Sequence, residues 1–184
     1  VYDVVVSAAL SYSADGTDAS KDIMSSSVSV TNVNDDTAGL VVVQSGNVTD
    51  EAGNMTASFT VVLTSEPATP VVITPKTSDA SESSFDVQSL TFGSVNWMVP
   101  QEVVVSGVDD WVHDLDVPYT VTITADAGSD PFYVGLVKTL SFVNEDDDAV
   151  GMYLVLEHNS TSELGASSSF IVKLNSEPKS PVIY

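Results

Sequence analysis

Two segments of this chain recur at a fixed distance, and that recurrence constrains its fold more than any single motif. Gly39-Leu-Val-Val-Val is matched by Gly151-Met-Tyr-Leu-Val, and Phe59-Thr-Val-Val-Leu-Thr-Ser-Glu-Pro67 by Phe170-Ile-Val-Lys-Leu-Asn-Ser-Glu-Pro178. The period is about 110 residues, the size of one sandwich domain. The acidic tract ending Val28-Ser-Val-Thr-Asn-Val-Asn-Asp-Asp36 recurs at the same phase as Leu140-Ser-Phe-Val-Asn-Glu-Asp-Asp-Asp148. A complete repeat is therefore expected over residues 38–149. Residues 1–37 are expected to be the closing part of a preceding repeat, and residues 150–184 the opening part of a following one. Both ends read as limits within a longer polypeptide.

Alternation with period two marks Phe59, Val61, Leu63 and Tyr119, Val121, Ile123 as inward positions of half-buried strands. Further apolar runs lie near 40–43, 71–74, 87–92, 102–106 and 134–143, separated by Gly, Pro, Asp and Ser clusters. About seven strands at this spacing predict an all-β fold: tandem Greek-key immunoglobulin-like β-sandwich repeats. Trp97, just before Pro100, is expected to plug one end of the core.

Composition narrows the function. Lys and Arg together number five against 26 Asp and Glu, a formal net charge of -21 that repels nucleic acid and anionic membranes. Cysteine is absent, which removes disulfide, thiolate-metal and redox chemistry. No apolar run approaches the roughly 20 residues of a membrane helix, so direct membrane insertion is not expected. No Gly-x-Ser-x-Gly elbow, phosphate-cradling loop or zinc spacing occurs, and His113 and His158 read as surface residues. The chain is not expected to be an enzyme, and Gly107 beside Asp109 reads as turn chemistry.

Antiparallel strands alternate in direction, so alternate loops share a pole. That parity gathers Asp50 and Glu51, Asp79 and Glu82, Asp109, Asp110, Asp114 and Asp116, and Glu145, Asp146, Asp147 and Asp148 at the end facing the next repeat. The loop holding Asp126 and Asp130 points the other way, towards Asn34, Asp35 and Asp36. Carboxylates gathered in this way repel one another unless a hard cation bridges them, and calcium takes six to eight oxygen ligands. The expected ligands of a structural Ca2+ are Glu51, Asp109, Asp110, Asp114, Asp116, Asp146, Asp147 and Asp148, with Asp35 and Asp36 serving the preceding junction. The alternative is a solvated acidic rim. The 109–116 segment lacks the central Gly and terminal Glu of an EF-hand loop.

Residues 90–121 resemble the Calx-beta-like repeats of large microbial surface proteins. The resemblance rests on Asn96-Trp-x-x-Pro-Gln101, on Val108-Asp-Asp110, on Asp114-x-Asp-x-x-Tyr119 and on the Asn34-Asp-Asp36 linker. It implies calcium at the pole facing the adjoining domain, held by Glu51, Asp109, Asp110 and the 146–148 tract. Trp111, Val112 and His113 replace the Glu-rich segment of the regulatory pattern, so the resemblance implies a joint-stiffening ion rather than a cooperative sensor.

Three Asn-x-Thr sequons, at Asn47, Asn54 and Asn159, are candidate glycosylation sites. The expected function is a structural or adhesive module of an extracellular or cell-surface filament or stalk. Expected partners are neighbouring repeats of the same chain, copies of itself in a fibre, and surface glycans. The alternatives are a carbohydrate- or protein-binding adhesin module, for which Trp111, Phe132 and Tyr133 are the aromatics to inspect, and an accessory domain of a large secreted enzyme.

Overall fold

The computed structural model describes residues 33–183. The expectation for residues 1–37 as closing strands falls almost wholly outside them. By internal contacts the chain divides into a first unit, Val1–Thr37, and a second, Ala38–Tyr184. The described part of the first unit, residues 33–37, has no regular structure and is exposed.

The second unit is all-β, with no helix among the described residues. One sheet is ordered β1 (Leu40–Ser45), β3 (Thr56–Leu63), β7 (Gln101–Gly107) and β5 (Ser83–Phe85). The second is ordered β2 (Val48–Asp50), β9 (Val137–Glu145), β8 (Val117–Ala125), β4 (Val71–Thr77) and β6 (Leu90–Phe92). Every pairing is antiparallel except β2 with β9, where Val48 lies opposite Val143 in parallel register. The chain passes from β1 in one sheet to β2 in the other at Gly46, whose φ of 78° lies in the left-handed region that glycine adopts without a Cβ penalty.

The alternating positions bury together. Phe59, Val61, Val103 and Val105 from the first sheet meet Val71, Ile73, Val121 and Ile123 from the second, all with no exposed surface. The Tyr119 and Phe142 rings stack with centroids 5.5 Å apart. Two sheets closed over one apolar core make a sandwich-like body, in which Trp97 is partly buried against the core. Residues 40–145 hold nine strands rather than about seven. The first run breaks at Gly46, and the expected 87–92 strand is shorter, at Leu90–Phe92, and preceded by β5 on the opposite sheet.

A separate two-stranded sheet follows: β10 (Met152–Leu156) and β11 (Phe170–Leu174). Its register repeats that of β1 and β3: Met152 faces Leu174 as Leu40 faces Leu63, and Leu156 faces Phe170 as Gln44 faces Phe59. The closing hydrogen bond is repeated too, Asn175 N–H to the Gly151 carbonyl and Thr64 N–H to the Gly39 carbonyl, each at 3.0 Å. Whereas β3 buries Phe59, Val61 and Leu63, their counterparts Phe170 and Leu174 are exposed and Val172 is half-buried.

Candidate metal centre

The strands place four loops at the pole where β2, β7 and β9 end. Residues 51–55 lie there, as do 78–82, 108–116 and 145–148. The Glu51 N–H donates to the Glu145 carbonyl at 3.1 Å, tying the 51–55 loop to the end of β9, and the Val108 N–H donates to the Glu82 carbonyl at 3.2 Å, tying the 108–116 loop to the 78–82 loop. Gly107 makes the approach possible. A Cβ there would collide with the Asp50 carbonyl and the Asn144 amide oxygen. The glycine is thus required by close packing at the end of β7, not by a turn.

Carboxylate oxygens of Glu51, Asp110 and Asp148 lie within 4.8 Å of one another, and so do those of Glu51, Asp109 and Asp147. Glu51 belongs to both groups and is only 5% exposed. Its Oε2 is buried without a hydrogen-bond partner among the described residues, as are Oδ2 of Asp148 and Oδ1 of Asp114. A buried carboxylate oxygen with no donor is costly, and either a proton or a cation relieves that cost. Burial, followed by the charges of Asp110, Asp146, Asp114 and Glu82, pushes the Glu51 carboxyl up to about 7. Burial and then the neighbouring carboxylates also raise Asp148.

The other expected ligands divide. Asp146 is engaged by the protein: His113 Nδ1 lies at ion-pair distance from its Oδ2, 2.5 Å, that oxygen accepts the Leu115 N–H at 2.9 Å, and Oδ1 accepts the Asp148 N–H. Burial alone would raise Asp146, but these donors hold it below the usual carboxylate range. Asp114 turns Oδ2 towards Lys179 Nζ at 3.9 Å, and Asp116 is exposed and belongs to neither group. Asp35 and Asp36 lie in the first unit, with the Asp36 N–H on Asn34 Oδ1 at 3.2 Å.

Beneath the carboxylates runs a polar chain that sequence reasoning missed. The Tyr119 hydroxyl meets Thr49 Oγ1 at 3.2 Å, Thr49 donates to Asn144 Oδ1 at 3.0 Å, and Asn144 Nδ2 donates to Glu82 Oε2 at 3.2 Å. Asn144 and Thr49 are 1% and 0% exposed, so this chain fixes buried Glu82 under the cluster. Burial raises the Glu82 carboxyl, although the Asn144 bond opposes the shift. No sequence spacing joins Thr49, Glu82 and Asn144; only the sheet pairing does. His113, expected to be a surface residue, lies against the Asp146 carboxylate.

The aromatic residues do not form a joint binding face. Tyr133 is buried, with its hydroxyl donating to the Ser65 carbonyl at 2.6 Å. Trp111 and Phe132 are exposed but sit in loops at opposite ends of β8. All three sequon asparagines are exposed. The chain matches no protein-family model and no curated protein sequence.

Proposed function

We propose that this chain is a structural module of an extracellular stalk or filament, built from tandem immunoglobulin-like Greek-key repeats of the Calx-beta-like kind and stiffened at the junctions by calcium. The observation that carries the reading is Glu51, buried and shared between two carboxylate groups, with an oxygen that no donor among the described residues reaches. The donor set is oxygen only, which suits a hard divalent cation rather than zinc or copper. Glu51, Asp109, Asp110, Asp147 and Asp148 would hold the ion, which would supply charge neutralisation and cross-link three loops. The tandem reading is supported by the β10–β11 pair, which repeats the register of β1–β3 but leaves an apolar face uncovered.

The test is thermal unfolding of the chain in millimolar calcium and in excess chelator at matched ionic strength. Calcium should raise the melting temperature by several degrees more than sodium restores, because a ligand that binds only the folded state stabilises it by mass action. Equal melting curves would leave the carboxylates as a solvated rim.

A further inference from the structure

The turn after β11 is in contact with the acidic pole. The Glu177 N–H donates to the Trp111 carbonyl at 2.5 Å, and Lys179 Nζ lies 3.9 Å from Asp114. Both acceptors lie in the 108–116 loop, which also carries Asp109 and Asp110 of the carboxylate groups. One loop thus faces the candidate cation with some residues and the following hairpin with others.

The donor belongs to a repeated motif. Ser176-Glu177-Pro178 follows β11 as Ser65-Glu66-Pro67 follows β3, at the same place in a register that matches pair by pair. Glu66 is exposed, and its N–H has no acceptor among the described residues. It sits at the opposite end of the sandwich from Trp111, where the Leu63 N–H meets the Trp97 carbonyl and the Ala68 N–H meets Asp130. The body therefore presents a used acceptor loop at one pole and, at the other, a copy of the donor turn in which Ser65 is held by the Tyr133 hydroxyl and Pro67 is buried, while the exposed Glu66 N–H meets no acceptor among the described residues.

We infer that the Ser-Glu-Pro turn is a docking element, and that Ser65–Pro67 engages the Trp111-type loop of another module of the same kind placed before residue 38. The contact is head-to-tail, so it propagates along an array instead of closing on itself. Its common part is the main-chain bond from the glutamate N–H to the loop carbonyl. The ion pair is particular to one joint, because the counterpart of Lys179 is Ala68. This inference rests on the tandem reading above but not on calcium.

Amide hydrogen exchange on the 184-residue chain tests it, read at Glu177 and Glu66 in chelator and again in calcium. Glu177 should exchange at least about tenfold more slowly than its intrinsic rate while Glu66 exchanges near its own, since a hydrogen-bonded amide must open before it exchanges. Lys179→Glu should remove much of the Glu177 protection and leave the Val103 and Ile123 amides unchanged. The chain lacks cysteine, so a Trp111→Cys/Glu177→Cys pair gives a second reading: it should form a disulfide faster than a Trp111→Cys/Glu163→Cys control. For the turn at the other pole, a chain in which a second copy of residues 38–149 replaces residues 1–37 should show new protection at Glu66. Glu177 exchanging at its intrinsic rate in both conditions, or Glu66 staying unprotected in the two-copy chain, would overturn the inference. Protection at Glu177 in chelator together with calcium-independent melting would keep the docking and discard the cation.

Discussion

Asp130 and Glu51 are both buried carboxylates, 2% and 5% exposed, at opposite ends of the same sandwich, and they titrate in opposite directions. Asp130 accepts the Ala68, Thr69 and Phe132 N–H groups at 2.8, 3.1 and 3.0 Å. Burial would raise its pKa, but three backbone donors hold it below the usual range. Glu51 is surrounded by carboxylates, keeps one oxygen unpartnered, and rises to about 7. Burial raises both, so the difference comes from the three donors at Asp130 and the carboxylate repulsion at Glu51. One pole is satisfied from within the chain, and the other keeps carboxylate oxygens that no donor among the described residues reaches.

Removing Asp130 should give the largest effect. Asp130→Ala leaves three N–H groups without their acceptor and should cost about 3 kcal/mol in denaturant unfolding, equally in calcium and in chelator. If calcium changed that loss, the two poles would not be independent.

A smaller effect should appear on titrating the chelated protein. The folded-state Glu51 carboxyl holds its proton to about pH 7, against the ordinary value of 4.5 that applies to the unfolded chain. The folded state then binds more protons between those limits, so stability should fall as pH rises through the window, by on the order of 2–3 kcal/mol. The raised Glu82 and Asp148 act in the same direction. Asp130 and Asp146, both lowered, contribute stability that is lost only as pH falls below the ordinary carboxylate range. Stability of the chelated protein should therefore be greatest at or just below about pH 4.5, and saturating calcium should flatten the decline above it. A chelated protein more stable at pH 8 than at pH 5 would contradict the assignment of an unsatisfied Glu51.

What could be read in the sequence was what repeats or alternates. Phe59, Val61, Leu63 and Tyr119, Val121, Ile123 follow the pleat, so the sheets' inner faces were legible. The approach of Glu51 to Asp109, Asp110, Asp147 and Asp148 was legible too, because strand parity alone brings those loops to one pole. Features set by contacts between distant strands were not. Thr49, Glu82 and Asn144 lie far apart in the chain and join only where β2 meets β9 beneath the β4–β5 turn. Gly107 resembles any loop glycine until the Asp50 carbonyl is placed against it. Tyr133 and Phe132 are adjacent and equally aromatic, yet the Ser65 backbone draws only Tyr133 inward.

Calorimetric titration with calcium of the native chain and of Glu51→Gln tests the central claim most directly. The account predicts that the native chain binds calcium at millimolar concentration or below. Glu51→Gln should bind at least about tenfold more weakly, yet be no less stable than the native chain in chelator, because it removes a charge held at a cost and keeps the shape. Unchanged calcium affinity in Glu51→Gln, or no calcium binding by the native chain, would contradict it.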